Sequence, residues 1–266
     1  MLDQKQKNFI LENYREGKSI NAISKELKIS WETVKNYLLR ENIKLEKNIN
    51  QFQKEQKLDY LFEKVADEDT AYWLGFLYAD GSIRSGSRNE ISLDLKEEDL
   101  EIIKAFHSFC NNKNKIRKHI IRRDDKEFIS YVSSFSNKKV KENLIKLGCF
   151  PKKSLILKCP TEEQVPDIFF YDFVRGYFDG DGYARYDIEN HKYDIVIIGT
   201  ESFLNGIVKR LNLTDIAKVS ATDSKIYALT IYGKNNVYNF LKNMYDNNKI
   251  ALKRKKQIFL KAQSGL

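Results

Sequence analysis

At 266 residues, with 42% hydrophobic and 31% charged residues, the chain can bury the core of one medium domain, or of one domain plus a small module. Three scattered cysteines (Cys110, Cys149, Cys159) and three dispersed histidines exclude a disulfide framework and argue against zinc, no apolar run approaches a membrane span, and the start MLDQKQKNF lacks a signal-peptide pattern. The formal charge is +9 and clustered: Asn111–Lys158 holds 14 lysines and arginines against four acids, and Lys242–Lys261 holds seven against Asp246 alone, with interleaved aromatics. Such clustering suits a polyphosphate surface, although a lysine-rich composition by itself would account for the total.

Residues 5–40 read as three short helices. Phe9, Ile10 and Tyr14 mark the first, which Gly17 is expected to stop. Ile20, Ile23 and Leu27 share one helical face, Ile29 falls in a turn, and Val34, Tyr37 and Leu38 form the next apolar face. Ser30 is placed to cap the third helix. The apolar pattern then decays, and residues 46–66 read as a charged linker.

From Asp67 the chain repeats itself. One apolar helix ends at Asp80-Gly81 and a second at Asp181-Gly182. The alternating run SIRSGSRNEISLDLK predicts a hairpin with Ser85-Gly86 near its turn, followed by a helix, two strands (NKIRKHIIRR, EFISYVSSFS) and a helix. The second half repeats that order, and all three prolines (Pro151, Pro160, Pro166) lie between the halves. The expected fold class is α/β of the α+β kind: a pseudo-twofold αββαββα repeat over 67–262, divided at about 159/160, with antiparallel sheets. An all-α module over 1–45 precedes it.

The two motif helices, TAYWLGFLYADG and YDFVRGYFDGDG, carry small residues four apart, Gly75 with Ala79 and Gly176 with Gly180. That spacing lines one face and lets two helices approach backbone to backbone. A carboxylate at a helix C-terminus costs about 0.3–1 kcal/mol, and two that converge disfavour each other further. A hard divalent cation with oxygen ligands would offset both penalties, Mg²⁺ first, with Mn²⁺ able to substitute. Asp80 and Asp181 are therefore the candidate metal and catalytic residues. A single Asp-Gly is commonly just a turn; two at matched places in a repeat are not so readily dismissed.

Trp73-Leu74-Gly75-Phe76-Leu77-Tyr78-Ala79-Asp80-Gly81 resembles the signature of the LAGLIDADG homing endonucleases, and Val174–Gly182 resembles a second copy. The resemblance covers roughly 67–262 and implies a monomer whose motif helices form the central interface, with saddle-shaped sheets along double-stranded DNA. It implies Asp80 and Asp181 as metal-binding catalytic acids, Lys153 and Lys255 as lysines near the scissile phosphate, and Asp179 as a non-catalytic acid. Lys96 is a weaker candidate for the centre. Tyr78 and Arg175 depart from the signature, at positions that do not bind metal. Candidate DNA contacts on the strands are Arg84, Arg88, Lys115, Arg117, Arg122, Arg123, Arg185, Lys192, Lys218 and Lys225. Strand alternation would put Lys115 and Arg117 on one face. The N-terminal stretch resembles a helix-turn-helix whose usual turn glycine is Lys28, with Trp31, Glu32, Lys35, Asn36 and Arg40 on or near its groove side.

The expected function is a site-specific, Mg²⁺-dependent DNA endonuclease of mobile-element type in the cytoplasm or nucleoid of a bacterial, phage or organellar host. The alternatives are a non-cleaving transcription regulator of the same fold and an intron-splicing maturase that binds RNA. Retention of both acids favours cleavage.

Overall fold

The computed structural model describes residues 2–16, 18, 20–41, 43, 58–123, 126–222, 226–246 and 248–264, so the expected stop at Gly17, most of the expected linker and Lys225 lie outside the described residues. The chain divides into two compact units, Met1–Lys57 and Leu58–Leu266.

The first unit contains α1 (Gln4–Arg15), α2 (Ile20–Leu27) and α3 (Trp31–Arg40). Asp3 and Gln6 form a reciprocal capping box on α1, and the Ser30 hydroxyl accepts from the Thr33 N–H at 3.2 Å to start α3. Ile10, Ile23, Val34 and Leu38 are fully buried and form its core. Lys28, in the turn between α2 and α3, has φ +54°, the left-handed conformation that a glycine would take without strain. The lysine costs about 1 kcal/mol there.

The second unit runs α4 (Glu68–Ala79), β1 (Gly81–Ile83), β2 (Glu90–Lys96), α5 (Leu100–Phe109), β3 (Arg117–Arg123), β4 (Lys126–Ser136) and α6 (Lys138–Lys146). The same order follows in α7 (Phe170–Asp181), β5 (Gly182–Asp187), β6 (Lys192–Gly199), α8 (Glu201–Arg210), β7 (Ala217–Ala221), β8 (Tyr227–Tyr232) and α9 (Lys234–Tyr245). Each half builds a four-stranded antiparallel sheet with the same topology, β1-β2-β4-β3 and β5-β6-β8-β7. The β1–β2 connection contains Gly86 at φ +73°, near the expected turn.

Two segments differ from the expectations. Residues 58–66, expected to belong to the linker, pack into the large unit: Phe62 and Val65 are buried in its core, and Leu58 and Leu61 pack against it. A final helix, α10 (Lys253–Ser264), was not expected; it buries Lys255, Phe259 and Ala262 along one face.

The core of the large unit is continuous through both halves and centres on α4 and α7. Thr70–Tyr78 of α4 are all buried, so this helix has no solvent face. Its contact with α7 is made through the small residues. A Cβ on Gly75 would lie 1.9 Å from the Phe173 carbonyl oxygen, and one on Gly176 would lie 1.9 Å from that of Tyr72. Backbone meets backbone at both positions, which only glycine permits.

Candidate active site

The close approach of α4 and α7 brings their C-terminal ends together. Asp80 caps α4, its N–H donating to the Phe76 carbonyl at 3.0 Å, and Asp181 is the last residue of α7. At the next small-residue contact a Cβ on Gly180 would lie 2.4 Å from the Ala79 Cβ and 3.1 Å from Asp80 Oδ2. The Asp80 carboxyl therefore lies over Gly180, the neighbour of Asp181. Both acids keep accessible surface, yet the protein packed around them desolvates their carboxyls. Asp80 is raised to about 6, by desolvation first and by the Asp181 charge second, against Lys255 and Lys153, which lower it. Desolvation raises Asp181 too, against the same two lysines.

This arrangement predicts a stability effect in the metal-free protein. The folded-state pKa of Asp80 lies above its ordinary value of 3.8, so the ionised form disfavours the fold, a penalty absent below pH 4 and complete above about pH 6. Asp80→Asn should stabilise the protein by about 1 kcal/mol at pH 7.5 without divalent cations, the exposure of the group screening the rest. The gain should disappear at pH 4, where both carry a neutral side chain. Thermal melts at the two pH values check this, and a gain that persists at pH 4 would contradict it.

Lys153 and Lys255 both lie at this end of the motif helices. The Lys153 ammonium donates to the Gly81 carbonyl at 2.5 Å, just beyond Asp80. The buried Lys255 ammonium donates to the carbonyls of Phe178 and, at 2.8 Å, Asp179, in the last turn of α7. Cations there offset the partial negative charge of the helix end as well as the acids. Desolvation lowers Lys255 to about 8, with Asp179, Asp80 and Asp181 opposing the shift. Lys96, by contrast, is exposed and ion-paired with Glu98.

Tyr78 donates its hydroxyl to the Leu147 carbonyl at 2.5 Å and so ties α4 to the end of α6. Arg175 is fully buried, donates to Asp172 at 2.6 Å and to the Met244 carbonyl at 3.0 Å, and has its guanidinium 5.0 Å over the Tyr72 ring. The Asp179 carboxylate is also buried; it accepts from Tyr72 and Tyr245 hydroxyls and the Leu252 N–H.

The sheets sort the remaining candidates by face. Ile91, Leu93 and Leu95 face the core, so the registers put Arg84, Glu90, Ser92, Asp94, Arg117 and His119 on the outer face of the first sheet, while the side chain of Arg123 lies outside the described residues. Arg122 stands on the opposite face, paired with Glu127 at 2.8 Å. Lys115 precedes β3 rather than lying in it, so the alternation that would couple it to Arg117 does not apply. Arg88 is exposed beyond the β1–β2 turn, where its carbonyl and that of Gly86 each accept from Lys141 at 2.9 Å. In the second sheet Arg185, Lys192 and Lys218 share the outer face with exposed Tyr183 and Tyr232. Acids on these faces hold the arginines: Glu90 pairs with Arg84 at 3.3 Å and Arg117 at 3.8 Å, and Asp194 with Arg185 at 2.5 Å. Only strand register could have revealed those partners. In the small unit Trp31, Asn36 and Arg40 are exposed on α3, with the Lys35 ammonium 5.2 Å over the Trp31 ring.

The donor set at the acid pair suits a small, hard cation. Among the described residues no three of His, Cys, Asp and Glu cluster as a metal cage. Two carboxylates alone are what Mg²⁺ accepts when water and phosphate oxygens complete its shell, whereas zinc would demand more protein ligands.

Residues 171–245, from α7 through α9, match the LAGLIDADG-like domain family. Solved structures match across both halves. The homing endonuclease I-WcaI bound to its DNA recognition sequence is 11% identical, with 79% of this chain and 92% of that one covered at a TM-score of 0.57. The I-LtrWI LAGLIDADG homing endonuclease bound to target DNA is 11% identical, with 75% and 91% covered at 0.51. This is the LAGLIDADG homing-endonuclease fold. Full-length DUF199/WhiA from Thermatoga maritima is 17% identical, with 79% of this chain and 66% of that one covered at 0.47. No curated protein sequence matches this one. In this chain α4 and α7 are the two helices that pack backbone to backbone, and Asp80 and Asp181 stand at their ends.

Proposed function

We propose that the protein is a site-specific endonuclease that hydrolyses both strands of a DNA duplex at the Asp80–Asp181 centre. One observation carries the reading: two desolvated carboxylates converge at the ends of helices whose backbones touch, with a lysine beside each helix end. Desolvating like charges at one point disfavours the fold, and a phosphodiester with its divalent cation is the partner that reverses that cost. Asp80 and Asp181 would hold the cation, which when bound polarises a phosphoryl oxygen and lowers the pKa of water. The chain itself contributes the rest: the acids orient water, and Lys153 and Lys255 stabilise charge developing on the phosphate. The outer sheet faces contact the duplex, with arginines already oriented by Glu90 and Asp194 for bidentate base contacts and lysines for phosphates.

The decisive experiment is incubation with a plasmid library carrying long randomised duplexes, with Mg²⁺ and with chelator. Metal-dependent linearisation at a recurring sequence is expected. Binding without a strand break would instead identify a non-cleaving regulator, and no DNA binding would overturn the reading altogether.

The small unit would add DNA contacts through the exposed face of α3. Removing residues 1–57 should shorten the protected footprint on one side only, since this unit is single while the large one is doubled. The cleavage position should stay fixed. Each lost phosphate contact should reduce the log–log salt slope by about one. An unchanged footprint and slope would assign the small unit to another partner.

A further inference from the structure

The Asp179 carboxylate gathers three elements. Its Oδ2 accepts from the Tyr72 hydroxyl of α4 at 2.9 Å and from the Leu252 N–H at 2.8 Å, and its Oδ1 accepts from the Tyr245 hydroxyl, the last residue of α9, at 2.5 Å. Leu252 in turn caps α10: its carbonyl accepts from the N–H groups of both Lys255 and Lys256 at 3.0 Å. The start of α10, and the lysine in its first turn, are thus referenced to one buried carboxylate.

The first half performs the matching task without a charge. Tyr78 occupies the place that Asp179 occupies in the repeat, two residues before the terminal acid, and tethers α6 through a neutral hydroxyl. The fold therefore does not require a carboxylate at this position. The halves differ in their lysines: Lys153 keeps accessible surface, whereas Lys255 is 3% exposed. A buried ammonium needs a buried countercharge, whereas one that still reaches water is stabilised by solvation.

We propose that Asp179 is the positioning residue for Lys255: its carboxylate fixes the start of α10 and supplies the countercharge that keeps the ammonium over the last carbonyls of α7. The role of Lys255 in cleavage rests on the nuclease reading, whereas its placement by Asp179 does not. The two halves thus hold their lysines by different means, so loss of Asp179 acts on one lysine and spares the other.

The test uses the full-length protein with Asp179→Asn, and with Tyr245→Phe, which keeps the carboxylate and removes one donor. Reductive methylation read by mass spectrometry reports each lysine separately. In Asp179→Asn, Lys255 should be modified about tenfold faster, with Lys153 unchanged, as local release without global unfolding predicts. On a cleavable duplex labelled on each strand, cutting of one strand should slow about tenfold with nicked product accumulating, and target affinity should hold within about twofold. Adding Lys255→Gln should slow that strand no further than Lys255→Gln alone, because the two changes act through one group. Should Asp179→Asn not fold, Tyr245→Phe carries the labelling test with an expected increase of about threefold. Unchanged Lys255 labelling, an equal rise at Lys153, or equal slowing of both strands would overturn the assignment. If the unaltered protein cuts no DNA, the nuclease reading falls while the labelling result still decides the role of Asp179.

Discussion

Asp80→Asn and Asp181→Asn should each reduce double-strand cleavage by about a thousandfold or more while leaving target affinity within a few fold. The asymmetry follows from where the two groups stand. Each carboxylate is at the end of a motif helix and, among the described residues, accepts no hydrogen bond that organises the core, unlike Asp179 two residues before Asp181. The amide is isosteric, so the outer sheet faces and their arginine–acid pairs stay in place and the duplex still docks. What is lost is an anionic oxygen donor and the ability to orient water. Because desolvation raises both carboxyls, the metal-free variants should also melt no lower than the wild type at neutral pH. Cleavage rates, filter binding and melting curves together check the point. Full cleavage by either variant at saturating Mg²⁺ would remove that acid from the site.

The architecture was readable from the chain because its elements carry local signals. Helices α4 and α7 are marked by small residues four apart and by a terminal Asp-Gly, and the strands by period-two alternation, so element order and antiparallel pairing emerge without tertiary information. The repeat then identifies Asp80 and Asp181 as equivalent. Helix α10 was hidden because Ile258, Phe259 and Leu260 are consecutive and the buried stripe begins with a lysine, Lys255, so the sequence shows charge where the structure buries a face. Residues 58–66 were masked in a similar way. Their apolar spacing, Leu58, Leu61, Phe62 and Val65, is helical, but the charged stretch before them dominates the composition.

Side-chain partnerships separated by long stretches of chain were not legible. Asp179 and Tyr72 are 107 residues apart, and nothing near either announces the other. Arg175 reads as an intrusion into an apolar helix until Asp172, one turn earlier, and the Met244 carbonyl receive its protons. The same holds on the sheet surfaces. Arg117 and Arg122 look alike in sequence, but register puts them on opposite faces, and Arg122 pairs there with Glu127.

Replacing Gly75 or Gly176 with leucine should produce the largest structural effect of any single change in the large unit. At both positions the first side-chain carbon would fall 1.9 Å from a carbonyl oxygen of the opposing helix, and backbone cannot swing aside as a flexible side chain would. The helices must separate, at a cost of roughly 1–3 kcal/mol or more. For a unit of this size that is a melting-temperature drop of several degrees, about 2–4 °C for each kcal/mol. Alanine should already show much of the loss, because the clash begins at Cβ and the longer leucine only adds to it. Separation would also move the Asp80 carboxyl off Gly180 and away from Asp181, so residual folded protein should cleave poorly even where binding survives. Melting and cleavage should therefore fall together in these variants, whereas in Asp80→Asn cleavage falls and stability does not. An unchanged melting temperature in either glycine variant would mean that the two helices do not meet backbone to backbone at that position.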